Sequence, residues 1–416
     1  MYHPPAFEPT RDEMMSILEK HIPFLNRMEL VPIWEADGRT VSEDLTAPYS
    51  LPGQDASACD GIAVRFADFS AGLPDASDWT EGQEFVYSNT GVAIPEEFDT
   101  VIPIEEVKKY GKEISICTAP KRKGEEIQPA GSLMMKGEIL ARRGETLTPD
   151  ALGSLLSAGF QSVPVFAKPR VLFLPTGDEL VPSGGQAPIG KNVESNSVMV
   201  YAMLKRFGCQ AAVGGIVPDD PADLEAALLR GVRQADMVVI GAGSSKGSKD
   251  FTMDVLEKLG TVVVQELGVA PGKHCSLTFI GGVPVLGIPG PPGGARLICQ
   301  YYLRAAIDLL TAGRRRESMR VSARLTADVP GRWIDFMQPV RLFWEDGILW
   351  AEPSASFGRT RAAARQPMAQ ILYCLKEKDF LAGETVSVEL PYQLMDRAGT
   401  SNEDVSKYHS KEQFSE

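Results

Sequence analysis

The spacing of apolar positions changes character twice along the chain. Near the N-terminus they recur at helical period and predict a helix over Met14–Lys20, opened by a capping box of Thr10 and Glu13. From Val31 to Ile139 the pattern shortens to strand-like runs such as "EFVYS", "TVIPIEEV" and "EISICTA", punctuated by Gly, Pro and Asp, which predicts a β-rich region. "TPDALGSLLSAGF" then predicts a helix with Thr148 as N-cap, Pro149 at its first position and Gly159 past its end.

Beyond Pro169 apolar strand runs alternate with amphipathic helical runs. "RVLFLPTG", "QAAVGGIVP", "DMVVIGAG" and "PVLGIPG" are the strands; "SVMVYAMLKRFG", "PADLEAALLRGV", "DFTMDVLEKLG" and "ARLICQYYLRAAIDLL" are the helices. Such βα repeats predict a parallel sheet covered on both faces, with ligands beyond the carboxyl ends of the strands. "PTGDEL", "VPDD", "GAGSSKGSKD" and "IPGPPGG" all fall at those ends. After "TAGRRRE" the alternation turns to strands again and predicts a small β domain from about Ser318 to Pro391, followed by a polar tail expected to be disordered over 396–416. Arg314 to Arg316 are expected to form a solvated helix end that complements the dipole.

Composition narrows the function classes. The 416 residues should divide into several domains, and the 44% hydrophobic and 23% charged content is that of a soluble globular chain with no run long enough to span a membrane. The N-terminus lacks the pattern of a secretory signal, so a cytoplasmic location is expected. Six cysteines without a CxxC pair and only four histidines signal neither a zinc site nor a disulfide framework. A formal charge of −13 opposes nucleic-acid binding, and a phosphorylated ligand would need a local basic patch or a divalent cation.

The candidate chemistry lies in the loops. "GAGSSKGSKD" offers backbone N–H groups, hydroxyls and two lysines, enough to cradle an anion, although it matches neither the nucleotide P-loop nor the GxGxxG fingerprint. Asp178 and Glu179 are paired carboxylates suited to a cation that bridges to phosphate; Asp219 and Asp220 share that reading, with Asp220 before Pro221 equally suited to an N-cap. Lys273 in "VAPGKH" is a point charge for a phosphate or oxyanion. Gly290, Gly293 and Gly294 in "IPGPPGG" permit close approach of a ligand to a turn stiffened by three prolines, ahead of a helix N-terminus.

Taken in order, "ASACDGIAVR", "TGVAIPEEFDTVIPIEE", "LLSAGFQSVPVFAKPRVLFLPTGDELV", "SNSVM", "PGK" and the strand followed by PG resemble the molybdopterin molybdenumtransferase family, the MoeA and gephyrin E-domain group, over roughly residues 10 to 395. The resemblance implies a multidomain α/β plus β chain in four parts. These are a linker and dimerisation domain of separated segments (1–49 and 145–169), a β-rich inserted domain (50–144), a three-layer α/β pterin-binding domain (170–317) and a C-terminal β-barrel-like domain (318–395). It implies a homodimer whose site is shared between protomers, and an Mg²⁺-dependent reaction of adenylylated molybdopterin with molybdate that gives molybdenum cofactor and AMP. The molybdopterin adenylyltransferase is a candidate partner. By motif, the catalytic residues are Asp60, Thr90, Glu179, Asp250 and Lys273, and the metal ligands Glu179, Asp219, Asp220 and Asp250. Pterin and nucleotide contacts fall on Thr176, Gly177, Asp178, Ser195, Asn196, Gly243, Ser244, Ser245, Gly247, Pro271, Gly272, Pro289, Gly290, Pro292 and Gly293.

Departures from the family pattern keep a second class open. Where the family writes GGVSVG and LPGNPVS, this chain has "GAGSSKGSKD" and "IPGPPGG", so Pro291 and Gly294 replace an amide and a hydroxyl; Ala270 stands where a lysine is frequent, Glu126 closes "GEE", and "FGRTRAAARQPMAQ" replaces a serine-bearing motif. The alternatives to the transferase are a divergent pterin- or nucleotide-binding carrier and a tungstate-specific form of the insertion reaction.

Overall fold

A computed structural model describes residues 8–111, 113–182, 184, 187–242, 251–354 and 370–395. The tail at 396–416, expected to be disordered, and most of the "FGRTRAAARQPMAQ" segment lie outside the described residues. The chain divides into two compact units, Met1–Glu29 with Phe166–Glu416, and Leu30–Val165.

In the first unit the N-terminal helix α1 (Arg11–His21) runs a turn longer than the apolar spacing predicts. Its capping box is complete, with the Thr10 hydroxyl accepting from Glu13 N–H and Glu13 returning the bond to the Thr10 backbone. The central sheet holds β1 (Arg170–Pro175), β2 (Gln210–Val213), β3 (Met237–Ala242), β4 (Thr261–Val264), β5 (Ser276–Ile280) and β6 (Val283–Pro289), in the order β2-β1-β3-β6-β5-β4. The four strands expected to be parallel, β1, β2, β3 and β6, are parallel. β5 and β4 extend this sheet by antiparallel pairing, through a hairpin between β5 and β6 across Gly281 and Gly282.

Side-chain alternation along these strands builds two cores. Phe173, Val239 and Ile288 face one side, where they pack with α1, α2 (Asn196–Arg206) and the helical stretch that begins with α5 (Pro292–Ile298); Leu174, Ile240 and Val285 face the other, under α3 (Pro221–Gln234) and α4 (Thr252–Leu259). Helices therefore cover both faces, as continuous apolar strands require. From α5 the chain passes through a π-helical turn at Cys299–Leu303 into α6 (Arg304–Ala312), one continuous buried rod that ends at Gly313 in the left-handed region (φ 69°). Arg315 and Arg316 beyond it are not a solvated helix end. Arg315 pairs with Glu19 at 2.6 Å, and Arg316 with the buried Asp308 at 2.8 Å, because the Asp308 charge inside the rod needs compensation.

The C-terminal strands β7 (Glu317–Leu325), β8 (Asp335–Glu345), β9 (Ile348–Pro353), β10 (Gln370–Cys374) and β11 (Thr385–Met395) form a second sheet in the order β8-β9-β7-β11-β10, with the short strand Val269–Ala270 added parallel to β8 at its edge. β10 also pairs with β8, which closes the ring around Leu325, Ala351, Leu372 and Val388.

The second unit is built from short strands, as its sequence pattern predicts. Gly61–Val64 is the central strand of an antiparallel sheet between Phe85–Ser88 and Thr100–Pro103, and all four of its residues are buried. The helix Pro149–Ser157 begins where expected, with the Thr148 hydroxyl accepting from Ala151 N–H.

Candidate functional site

The register of the parallel strands sets where their loops leave the sheet. Pro175 pairs with Gly241 and Gly241 with Ile288, while Thr176 bridges Val217. The described ends of β1, β2, β3 and β6 therefore lie along one edge, and the Thr176 hydroxyl, donating to the Gly241 carbonyl, ties the segment after β1 to the end of β3. Gly243, Ser244, Ser245, Gly247 and Asp250, on the segment after β3, lie outside the described residues.

The "TGDEL" segment is shaped by its own carboxylates. Gly177 has φ 140°, and a Cβ there would lie 2.5 Å from a Glu179 carboxylate oxygen, so glycine lets Glu179 fold back over the turn. Asp178 and Asp219 exchange bonds: Asp178 N–H donates to Asp219 Oδ2 at 3.2 Å and Asp219 N–H to Asp178 Oδ1 at 3.0 Å. Lys191 donates to the Asp178 carbonyl at 2.6 Å. Asp220 is the N-cap of α3, accepting from Ala222 and Asp223 N–H at 2.8 and 3.1 Å. Among the described residues no group of three or more His, Cys, Asp or Glu side chains is arranged to hold a metal ion.

Three other predicted segments meet at the turn after β6. Asn196, on the first turn of α2, donates from Nδ2 to the Gly290 carbonyl at 2.9 Å, and its buried Oδ1 has no partner among the described residues. Ser195 is the N-cap of that helix but makes no side-chain cap bond. A Cβ on Gly294 would lie 3.3 Å from Pro289 and 3.8 Å from Gly272 N, and one on Gly272 (φ 128°) 2.6 Å from Ile298. The start of α5 thus packs against the Pro289 ring and beside the Gly272 backbone, and Gly272 lies against the Ile298 side chain, which brings the turn after β6 and the Pro271–Gly272–Lys273 loop together on α5. Pro291 stands at the N-cap of α5 and, lacking a polar side chain, caps nothing, so the first N–H groups of the rod have no side-chain cap.

Lys273 is held by charges that its local sequence does not announce. Its ammonium lies 2.9 Å from Glu8 and 3.7 Å from Glu266, which is 1% exposed and 3.0 Å from His274 Nδ1; Trp333 lies under the ammonium at 5.7 Å. Leu267 N–H donates to the Lys273 carbonyl at 2.7 Å and closes the loop. Glu266 escapes sequence reasoning because it follows a strand run with no motif, and Glu8 because it lies over 250 positions from its partner.

In the second unit Asp60 and Thr90 meet each other. Asp60 Oδ1 accepts from Thr90 N–H at 2.8 Å and from its hydroxyl at 3.1 Å, and these bonds hold the carboxyl below the usual aspartate range. Gly61, next to Asp60, opens a strand: a Cβ there would stand 2.1 Å from the Ile102 carbonyl oxygen, so close strand packing is what requires glycine.

Another charged cluster was missed. A cavity of about 450 Å³ is lined by five arginines, among them Arg11, Arg304 and Arg320. Arg11 reaches Glu389 at 2.6 Å, with Tyr301 and Tyr373 rings 5.3 and 5.2 Å away, and Arg320 reaches the same carboxylate at 2.9 Å. Burial pushes the thiols of Cys209 and Cys299 up to about 12 and that of Cys374 to about 11, which makes these three poor nucleophiles.

Comparison with known proteins accords with this arrangement. Residues 10–159 match the profile of the MoeA N-terminal region (domain I and II), and residues 173–308 that of a probable molybdopterin binding domain. A molybdopterin molybdenumtransferase of Haemophilus influenzae is 30% identical over 91% of this chain and 98% of its own length, and one of Synechococcus elongatus is 29% identical over 86% and 93%. The crystal structure of a molybdopterin biosynthesis MoeA protein from Pyrococcus horikoshii superposes with a TM-score of 0.77 at 26% identity, covering 92% of this chain and 99% of that one.

Proposed function

Since this chain belongs to the molybdopterin molybdenumtransferase (MoeA) family, we propose that it inserts molybdenum from molybdate into adenylylated molybdopterin and releases AMP, acting in molybdenum cofactor biosynthesis. The observation that carries the reading is the convergence of the Asn196, Gly290, Gly294 and Lys273 segments at one edge of the parallel sheet, where an α/β fold takes its ligands.

Each part of that edge has work suited to an anionic pterin nucleotide. The unpartnered Asn196 Oδ1 accepts an N–H of a heterocycle, and the glycines of the turn let a flat ring or a phosphate come against the backbone. The N–H groups at the start of the α5 rod and the Lys273 ammonium hold phosphate or oxyanion oxygens. Cleavage of a phosphoanhydride is a matter of in-line placement and charge neutralisation, which suits a site without a protein nucleophile.

Magnesium fits the described residues poorly. Asp220 Oδ1 is taken by the α3 N-terminus, and one oxygen each of Asp178 and Asp219 accepts from the other's backbone N–H, so the reaction is not routed here through a protein-bound cation. The assignment of Asp60 and Thr90 to the same reaction rests on a homodimer in which one protomer's β-rich domain completes the site of its partner, within the four-domain division given above.

The test is direct. Purified chain supplied with adenylylated molybdopterin, Mg²⁺ and either molybdate or tungstate is expected to release AMP in step with formation of metallated cofactor. Binding of the adenylylated pterin without AMP release under both oxyanions would replace the transferase by the carrier reading.

A further inference from the structure

Lys273 sits between two carboxylates that differ in whether they can withdraw. Glu266 is buried, with one oxygen taken by His274 Nδ1 at 3.0 Å and the other facing the Lys273 ammonium at 3.7 Å. Moving it would strip a buried carboxylate of its His274 and Lys273 contacts, so it stays. Glu8 makes the closer contact, 2.9 Å, yet its side chain is 32% exposed and can turn into water without losing solvation.

The position of Glu8 is fixed by its backbone. Gly268 N–H donates to the Pro9 carbonyl at 2.9 Å, and a Cβ on Gly268 would stand 2.9 Å from the Glu8 carbonyl oxygen. Glycine at 268 thus lets the N-terminal segment lie directly on the loop that carries Lys273, which delivers the Glu8 carboxylate to the ammonium. Among the described residues Lys273 therefore faces two acidic side chains, and an incoming anion meets repulsion until one of them leaves.

We propose that Glu8 is a displaceable counter-ion: it occupies the place on the Lys273 ammonium that a phosphate or oxyanion oxygen of the substrate takes, and it sets ligand affinity by competing for that place. This rests on Lys273 being an anion-binding residue, as proposed above. Glu266 remains beneath Lys273 in both states and keeps its stem oriented, while the Glu8 carboxylate exchanges with the ligand's oxygen.

Calorimetric titration of the full chain with AMP, and separately with molybdate, distinguishes the two sources of the anion. Glu8→Gln should bind one of them roughly two- to fivefold more tightly than the parent, the range expected for removing an exposed charge partner. In a Lys273→Ala background the gain should vanish, and thermal melting of each variant checks that it is folded. If Lys273→Ala alone changes neither affinity, or if the parent binds neither ligand, the anion-binding reading of Lys273 fails and the proposal with it. If Lys273→Ala weakens binding while Glu8→Gln binds as the parent does, or gains equally without Lys273, the counter-ion is refuted and the role of Lys273 stands.

Discussion

The Asn196 side chain donates to the carbonyl of Gly290 at 2.9 Å, so the first turn of α2 fixes the turn that follows β6. One end of a single amide is structural and the other, Oδ1, has no partner among the described residues. Asn196→Ala should cost about 1 kcal/mol of stability, the usual worth of one hydrogen bond, and also weaken pterin binding. Asn196→Asp removes the donor and adds a charge facing an anionic ligand, so it should lose more affinity than the alanine variant. Denaturant titration and ligand titration on both variants check the two halves; equal pterin affinity in all three proteins would make the residue a tie only.

Gly294 separates Pro289 from Gly272. Its Cβ would meet Pro289 at 3.3 Å, tight but tolerable, so Gly294→Ala should fold and turn over at a reduced rate. Gly294→Val adds branches with no space, costs about 1–3 kcal/mol by overpacking, and should push the Lys273 loop outward. Comparing KM for the two variants measures the displacement.

Asp60 offers a pH test. Its carboxyl is held low by two bonds from Thr90, so the charge, and the stability linked to it, is complete above the ordinary carboxylate range and is lost only as pH falls through the lowered value. Thr90→Val keeps the backbone donor and removes the hydroxyl. The Asp60 titration midpoint, followed by NMR, should rise part of the way toward an ordinary aspartate.

Asp220 separates capping from cation binding. Asp220→Ala should cost about 1 kcal/mol by uncapping α3, and Asp220→Asn should recover most of it because asparagine caps equally well. If Asp220 acts only as a cap, the Mg²⁺ dependence of AMP release is the same in Asp220→Asn as in the parent. A shifted Mg²⁺ requirement in that variant would restore the metal role.

Glu389 and Glu352 should behave differently although both pair with arginine. Glu389 is 3% exposed and serves Arg11 and Arg320; Glu352 meets Arg341 at 2.7 Å with both side chains about half exposed. Glu389→Ala leaves the Arg11 guanidinium buried without its partner and should cost about 3 kcal/mol or more, whereas Glu352→Ala should cost under about 1 kcal/mol. Chemical denaturation of both variants settles the ranking.

What the sequence made legible was the local and the periodic. The capping box at Thr10, the Thr148 cap and the parallel strands all depend on residues within a few positions of one another, or on alternation that tertiary contacts reinforce. β4 and β5 were missed because a βα rhythm predicts only parallel neighbours, and an antiparallel extension of the same sheet leaves no mark in that rhythm. The cause of a glycine such as Gly61 is not legible in its string, since close strand approach and a turn ask for the same residue. The partners of Lys273 and Arg11 were illegible because Glu8 and Glu389 lie hundreds of positions away, and nothing in either local string anticipates the meeting.

The second unit is an insertion: Leu30–Val165 interrupts a unit whose own chain resumes at Phe166. α1 leaves the ribosome well before α6, with Met14, Met15, Leu18 and Ile22 destined for a core whose other wall includes Leu309 and Leu310 of α6. At roughly 5–20 residues per second, the nearly three hundred residues between them take on the order of 15–60 seconds to synthesise. Through that interval the whole inserted unit can fold while the apolar stripe of α1 waits in water. The growing chain therefore carries the exposed apolar stripe of α1 throughout that interval, and the last helix of the rod is the piece that ends the wait.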